Sequence, residues 1–516
     1  MWHKLTGKNG SVAMERKKEG KMQRQSFLHG ALILVVAIAI EKILGAVYKI
    51  PLSWIITSLG NGYFGTAYAL YAPMFSVATA GFPIAISRLV SESYCRGNYR
   101  NIRQIHRASI RIFLLLGILS FSLMLILARP YTQFAMRGNA QNALPAIYAI
   151  APAAFFASMM SIYRGYYEGL RNMTPTAISE VIESFCKLVF GLTAAYVIVK
   201  SGLEEFAQSG TVYGIRVKDV KYAKIATLPY AAAGAIFGVT LGTVIAMLYM
   251  LLRKAFDRNP PVGSVLETRS SKEVAKSILA IAIPVTIGSG LLALTNMIDN
   301  MLVMRRLRYS AGFSYDDALF LNGSYAIAQT MFNFPSSFIM SFSIPVVPAV
   351  AAAITRGDRR GASRTIETAI RLTSILALPA AAGLSVLSSP ILNLLFFKSP
   401  DEAAAASLPL SILGIAVFFN CVVLLTNAVL QSIGKANIPV YTMLTGSAVK
   451  IVANWFLVGT PSININGAPI GTSLCYFTIM ALNFIAIARM VKPAPNLIRM
   501  FGRPLIATLI MAAAAW

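Results

Sequence analysis

Residues 109–128 read SIRIFLLLGILSFSLMLILA, a run in which Arg111 is the single charged side chain. At 1.5 Å per residue this run forms a helix of about 30 Å, which matches the hydrocarbon core of a bilayer. Comparable runs recur along all 516 residues, of which 56% are apolar and 13% charged, against roughly 25% charged in an average soluble domain. The sequence therefore predicts a membrane protein rather than a soluble fold.

Twelve such runs and a shorter thirteenth predict an all-α polytopic membrane protein. They lie near residues 27–50, 64–87, 109–128, 143–163, 176–199, 226–252, 277–303, 320–354, 372–397, 406–430, 437–458, 468–488 and 504–516. The thirteenth would rise only about 20 Å as a helix. We therefore expect the sequence to stop inside a thirteenth span.

The positive charge is distributed unevenly between the predicted loops. The net charge is +26, and with the N-terminus inside, 30 of the 46 lysines and arginines fall in cytoplasmic segments, 11 in external loops and five within spans. This asymmetry follows the positive-inside rule and disfavours a nucleic-acid partner. It predicts a cytoplasmic N-terminus, a cytoplasmic loop at 88–107 and an external loop at 51–63. Arg305, Arg306 and Arg308 violate the rule, because they lie in a loop predicted to be external.

Residues that could carry catalysis or bind a metal are sparse. The four cysteines are scattered and the three histidines lie in the N-terminal segment or in a basic loop, without the spacing of a zinc site. No nucleophile elbow or phosphate-binding glycine loop is found. We expect no enzyme activity, cofactor, metal or nucleic acid.

An internal repeat relates the two halves of the chain at an offset of about 260 residues. Arg171 to Pro175 (RNMTP), followed by Lys187, matches Lys435 to Pro439 (KANIP), followed by Lys450. Six spans return the chain to the side of the membrane where it began, so both halves have the same orientation. The prediction is therefore two parallel six-helix repeats, an N-lobe and a C-lobe, around a central cavity.

The predicted domain organisation follows from this repeat. It comprises a basic cytoplasmic extension at 1–26, the N-lobe at 27–252, a cytoplasmic linker at 253–276, the C-lobe at 277–488, and a loop with a truncated helix at 489–516. The extension lacks the apolar segment of a signal peptide.

Charged side chains inside spans are costly, so they usually face a cavity or a partner. Lys42 and Lys49 share one face of the first helix, which suggests an anion site, although pairing of Lys42 with Glu41 and snorkelling of Lys49 are alternatives. Glu183 and Lys187 are spaced for an i, i+4 pair. Lys450 has no acid on its own helix face and is predicted to be an unpaired cation in the cavity.

Two further stripes could line the cavity or only hold helices together. Asp299 lies on one helix face with Asn296 and Arg306, and it could pair across the cavity. Gln329 and Asn333 form a polar stripe on the eighth predicted span. Lys435, the counterpart of Arg171 in the repeat, joins the residues expected to line or gate the cavity.

At the level of motifs, the chain resembles the stage V sporulation protein B group of polysaccharide-type flippases, which is related to MurJ, the lipid II flippase. The motifs are EKILGAVYKIPL at 41–52, SVATAGFPIAISRLVSE at 76–92, YRGYYEGLRNMTPT at 163–176, AQTMFNFPS at 328–336 and TNAVLQSIGK at 426–435. The resemblance runs from about Gln25 to Trp516. It implies the fold of the multidrug, oligosaccharidyl-lipid and polysaccharide exporter superfamily, with fourteen helices.

The resemblance also implies site residues. MurJ proteins carry essential cations in the first helix, near the positions of Lys42 and Lys49, and an arginine in the fourth-helix loop that matches Arg171. An Asp-Arg pair of that family is replaced here by Gln329 and Thr330. In this subgroup Arg164, Arg305 or Arg306 could supply the missing cation.

These observations predict a flippase that moves a lipid-linked anionic oligosaccharide, lipid II or a related cell-wall precursor, by alternating access across a bacterial cytoplasmic membrane. The expected substrate cations are Lys42, Lys49, Arg164, Arg171, Arg306 and Lys450. The expected partners are an undecaprenyl-diphosphate-linked sugar, membrane lipid and cell-wall synthesis proteins. The alternatives are a multidrug cation antiporter, which should carry unpaired acids, and a non-transporting cell-wall scaffold, which should lack a polar cavity.

Overall fold

Helices account for nearly all of the part of the chain that the structure describes. The computed structural model describes residues 27–79, 81–135, 140–257, 270–355, 358–435 and 437–515. The predicted extension at 1–26 and half of the predicted linker at 253–276, residues 258–269, lie outside these residues. In order, the helices are α1 Phe27–Thr79, α2 Gly81–Cys95, α3 Tyr99–Ala135, α4 Leu144–Gly169, α5 Thr174–Cys186, α6 Leu192–Ser209, α7 Val220–Phe256, α8 Ser271–Tyr309, α9 Tyr315–Thr355, α10 Arg359–Val386, α11 Ser388–Leu395, α12 Pro400–Ser432, α13 Asn437–Leu457, α14 Gly467–Met490 and α15 Leu497–Ala515.

Short irregular elements join some of these helices. A π-helical turn, Lys187–Gly191, connects α5 to α6, and a two-stranded antiparallel hairpin, β1 Thr211–Val212 and β2 Ile215–Arg216, precedes α7. Nine candidate spans within the described ranges are long and apolar enough to cross a membrane. The prediction of an all-helical, multi-pass membrane protein is confirmed.

Each half of the chain is organised around one buried helix. In the amino-terminal half (27–257) α4 packs against α1, α2, α3 and α7, and in the carboxy-terminal half (270–515) α12 packs against α9, α10 and α14. The buried face of α4 is rich in alanine, and that of α12 includes Ala403, Ala406, Gly414 and Ala416. Small side chains allow helices in a bilayer to approach closely, where dispersion contacts hold them together. The predicted relation of the halves as parallel repeats stays a prediction.

The segment 51–63, predicted to be a loop, is instead helical on both sides of one break, and its external location stays a prediction. At Thr57, φ is 58° and ψ is −178°, a conformation that costs a β-branched residue on the order of 1–3 kcal/mol. The polar side chains of Ser58 and Asn61 suggested a loop, but both are fully buried. They face the protein interior rather than water.

Because of the break at Thr57, the first residues of the second part of α1 contact the carboxy-terminal half. The Ser58 backbone N–H donates to Glu402 Oε1 at 2.7 Å, and Ser58 Oγ lies 3.2 Å from Ser324 Oγ. Trp54 Nε1 donates to the Leu395 carbonyl oxygen at 3.1 Å. These bonds between the two halves satisfy groups that the break exposes, and they define what we call the closed end of the protein.

Glycines let the two halves approach closely at this end. A Cβ added at Gly323 would lie 1.9 Å from the Ser58 carbonyl oxygen, and one added at Gly62 would lie 2.3 Å from Leu319 Cδ1. These distances are too short for any side chain. Contact between the halves at the closed end therefore depends on glycine.

We expect Gly323→Ala to lower the thermal unfolding midpoint of the purified protein, since overpacking costs about 1–3 kcal/mol. Gly383→Ala is the matched control, because Gly383 is also helical in the carboxy-terminal half and an added Cβ there meets no atom within 4 Å. Higher helix propensity should leave that control unchanged or slightly stabilised. Equal midpoints for the two variants would contradict the close approach.

Candidate functional site

The two halves enclose a cavity of about 390 Å³. The second part of α1 forms one wall, α8 and α9 form the facing wall, and α12, α13 and α14 contribute the remaining residues. The polar side chains among the lining residues are Asn61, Tyr68, Asn296, Asp299, Asn300, Asn322, Tyr325, Gln329, Asn333, Lys450, Thr472 and Tyr476. A solvated polar chamber between two helical bundles is suited to a ligand that carries hydrogen-bonding groups through a membrane.

Lys450 and Asp299 form an ion pair in the wall of this cavity. Lys450 Nζ lies 2.7 Å from Asp299 Oδ2, and the Asn454 amide also donates to the Asp299 carboxylate. The side chains are 12% and 7% exposed. The prediction that Lys450 is unpaired is wrong, because the acid comes from α8 rather than from its own helix α13. Both residues nevertheless line the cavity.

Two other lysines lie directly behind the α1 wall. Lys49 Nζ donates to Asn61 Oδ1 at 2.8 Å and lies 4.2 Å from the centre of the Phe64 ring. Lys187 Nζ lies 4.9 Å and 5.7 Å from the ring centres of Tyr48 and Tyr68. Asn61 and Tyr68 themselves line the cavity. Each ammonium is therefore one side chain away from the chamber.

The surroundings of these two ammonium groups consist of aromatic rings and an amide. Within the described ranges neither Lys49 nor Lys187 has a carboxylate oxygen within 4 Å. Lys187 begins the π-helical turn, and such turns occur frequently at functional sites. Cation–π contacts stabilise a desolvated ammonium by roughly 2 kcal/mol or more without neutralising its charge. These are the properties of a site for an anion.

Glu183 has a different partner from the predicted one. Its Oε2 lies 3.2 Å from Arg164 Nη2, and its Oε1 accepts a hydrogen bond of 3.1 Å from Thr243. Glu180 lies 3.9 Å from Arg164, whose Nε donates to Ser179 Oγ at 3.0 Å. The predicted pairing of Glu183 with Lys187 is thus wrong. Arg164 sits in a closed cluster of α4, α5 and α7, away from the cavity lining.

The remaining predicted cations are dispersed. Lys42 pairs with Glu41 at 3.2 Å with 42% of its side chain exposed. Arg171 lies in the turn after α4 with a φ of 58°, and Lys435 lies in the exposed turn after α12. Arg306 lies 4.5 Å from the Trp455 ring, in a separate pocket. The structure therefore does not bring Lys42, Lys49 and Lys450 into one chamber.

Three residues of the polar stripes predicted from helical spacing line the central cavity. Asp299, Gln329 and Asn333 lie in the cavity lining. Asn61 and Tyr68 were not predicted to line the cavity, and Asn61 lies in the segment that was interpreted as a loop. Lys49 and Asn61 are twelve residues apart, about 120° around a straight helix, so helical spacing does not predict their contact across the break at Thr57.

Two protein family models match the chain. The model described as Lipid II flippase MurJ matches residues 143–516, and the model described as Polysaccharide biosynthesis protein matches residues 27–210. Together they include both walls of the cavity.

Curated relatives match along most of the chain. A protein of Bacillus subtilis (strain 168) named Lipid II flippase MurJ is 26% identical over 471 residues, covering 90% of this chain and 82% of the relative. Stage V sporulation protein B of the same organism is 26% identical over 463 residues, covering 87% and 80%.

Solved structures share the fold. The inward-facing conformation of a multidrug resistance MATE family transporter of the MOP superfamily superposes with a TM-score of 0.65, at 13% identity, covering 94% of this chain and 98% of that one. The outward-facing conformation of a MATE family transporter gives a TM-score of 0.59 at 14% identity, covering 96% and 98%. At such identities the similarity shows the fold alone.

Proposed function

The chain belongs to the lipid II flippase MurJ family, and we propose that it moves an undecaprenyl-diphosphate-linked sugar, lipid II or a related cell-wall precursor, from the inner to the outer leaflet. The observation that carries the proposal is the polar cavity between the halves, with two ammonium groups behind one wall that have no carboxylate within 4 Å among the described residues. A non-transporting scaffold would not need such a chamber. The proposed activity is transport without covalent chemistry.

Charge complementarity assigns the diphosphate to the α1 side of the cavity. Asp299 neutralises Lys450, whereas Lys49 and Lys187 have no acid within 4 Å among the described residues. Two positive charges match a diphosphate of about −2, which would otherwise bear a large desolvation cost in the bilayer. Lysine acts as a compact point charge rather than a bidentate fork, which suits a headgroup that must be released again.

Transport in this proposal proceeds by alternating access. With the N-terminus cytoplasmic, the closed end formed by Ser58, Glu402 and Gly323 faces outward, and the cavity receives its substrate from the inside. Rocking of the halves would break the bonds between Ser58 and Glu402 and open that end. An inside-negative potential favours outward movement of a charge of about −2 by roughly 4.6 kcal/mol per 100 mV. A coupling ion is therefore permitted but not required.

Depletion of the protein in its host, followed by mass spectrometry of undecaprenyl-linked lipids on each side of the membrane, tests the proposal. We expect one diphosphate-linked sugar lipid to accumulate in the inner leaflet. Re-expression of wild-type protein should restore its outward movement. Unchanged lipid distribution together with export of cationic drugs would instead favour the multidrug antiporter.

A further inference from the structure

A second pocket lies at the ends of α3, α8 and α13, separate from the central cavity. It has a volume of about 390 Å³ and is lined by Phe134, Leu302, Arg305, Arg306, Tyr309, Ser310 and Trp455. It shares no lining residue with the central cavity. The proposed transport path therefore does not account for this pocket.

Two arginines dominate the pocket, and both are held by aromatic rings. The Arg305 guanidinium lies 5.3 Å from the centre of the Phe134 ring, and the Arg306 guanidinium lies 4.5 Å from the centre of the Trp455 ring. In the described part of the chain neither has a carboxylate within 4 Å. The Nε of Arg306 is buried without a hydrogen-bond partner. Their donors are available for an anion.

The backbone makes room for Arg306. A Cβ added at Gly459 would lie 2.2 Å from Arg306 Nη2, so the guanidinium rests directly on the chain after α13. The Arg306 guanidinium therefore lies between the Trp455 ring and this backbone, which restricts the orientation of its planar set of N–H donors. A fixed guanidinium donates short, charge-assisted hydrogen bonds that match the oxygens of a phosphate.

The pocket opens toward the lipid rather than toward the transport path. Phe134, Tyr309 and Trp455 are 55%, 57% and 46% exposed. Exposed aromatic side chains at helix ends are typical of the headgroup level of a bilayer. Leu302 adds apolar surface beside the arginines. An amphiphile with a phosphate next to acyl chains fits this combination of charge and apolar surface.

With the predicted cytoplasmic N-terminus, these arginines lie at the outer face, against the positive-inside bias, and an anionic ligand at this end would favour them. We propose that Arg305 and Arg306 form a binding site for the phosphate of an anionic glycerophospholipid, of the phosphatidylglycerol type, in the outer leaflet. Basic pockets between transmembrane helices on the cytoplasmic side bind anionic headgroups, and the same contacts are available to a lipid of the outer leaflet. The lipid would contact α3 of the amino-terminal half and α8 and α13 of the carboxy-terminal half.

Fluorescence of Trp455 provides a local test. The chain has four tryptophans, so the triple variant Trp2→Phe, Trp54→Phe, Trp516→Phe reports on the pocket alone. This protein is placed in phosphatidylcholine nanodiscs with a minor fraction of brominated phosphatidylglycerol or brominated phosphatidylcholine. We expect brominated phosphatidylglycerol to quench at a mole fraction roughly tenfold lower than brominated phosphatidylcholine, because hydrogen bonds to charged groups strengthen its binding by about that factor.

Charge-matched variants distinguish binding in this pocket from general electrostatic attraction between an anionic lipid and a basic protein. In the double variant Arg305→Gln, Arg306→Gln, both lipids should quench the Trp455 fluorescence equally. The double variant Arg216→Gln, Lys218→Gln removes two exposed cations at the hairpin before α7 and should keep the preference for phosphatidylglycerol. If a multiple variant fails to fold, native mass spectrometry of wild-type protein against Arg305→Gln alone should show loss of bound phosphatidylglycerol.

Three results would overturn the assignment. They are equal quenching by both lipids in the parent protein, an undiminished preference in the arginine variant, and displacement of brominated phosphatidylglycerol by undecaprenyl diphosphate at concentrations where unlabelled phosphatidylglycerol has no effect. The last would assign the pocket to the transported lipid. Flipping is not measured here, so failure of this inference leaves the proposed function unaffected.

Discussion

Replacement of Lys49 by alanine is expected to lower transport of the lipid-linked sugar at least about tenfold, the effect of losing one hydrogen bond to a charged group. Lys49 donates to Asn61, which lines the cavity, and has no acid within 4 Å among the described residues. Its charge is therefore available to a diphosphate. The measurement is the rate at which the lipid becomes accessible outside proteoliposomes that contain purified protein.

Two substitutions distinguish charge from structure. Lys49→Arg should retain more transport than Lys49→Ala, because it keeps the positive charge next to Asn61. Lys200→Ala is the matched control, since Lys200 is an exposed lysine of the same half, 3.7 Å from Glu204. All variants should reach the membrane at similar levels. Normal transport by Lys49→Ala would remove Lys49 from the proposed site.

The fold could be predicted largely because lipid imposes one simple rule on sequence. Runs such as 109–128 must be helical, since a backbone in hydrocarbon has to satisfy its own hydrogen bonds. The same rule fails at 51–63, where Ser58 and Asn61 are polar but buried inside the protein. A polar side chain in contact with protein cannot be distinguished, in a single sequence, from one in contact with water.

The candidate site was harder to predict for a related reason. Helical spacing identifies neighbours on one helix, so it correctly grouped Gln329 with Asn333, both of which line the cavity. It says nothing about the neighbouring helix. The partner of Lys450 is Asp299, 151 residues earlier in the chain, and the partner of Glu183 is Arg164 on α4. Such pairs arise from packing of helices, which local spacing does not encode.

The second large effect is expected at the pair formed by Lys450 and Asp299. Lys450→Ala leaves the Asp299 carboxylate, which is 7% exposed, without its ammonium partner. Breaking a buried ion pair from one side costs about 3–5 kcal/mol, so we expect a marked fall in the free energy of unfolding of the purified protein. Lys435→Ala, at an exposed position of the same half, should be neutral.

Removal of both charges separates the contribution of the pair to stability from its contribution to binding. In Lys450→Met with Asp299→Asn, the amide oxygen at 299 can still accept from Asn454, and no charge is left buried alone, so most of the lost stability should return. Because an ammonium has three donors and Asp299 occupies only some of them, Lys450 can add a hydrogen bond to a substrate whose diphosphate is held mainly by Lys49 and Lys187. We therefore expect this double variant to be stable yet impaired in transport. If it transports like the wild type, Lys450 contributes to stability alone and makes no contact with the substrate.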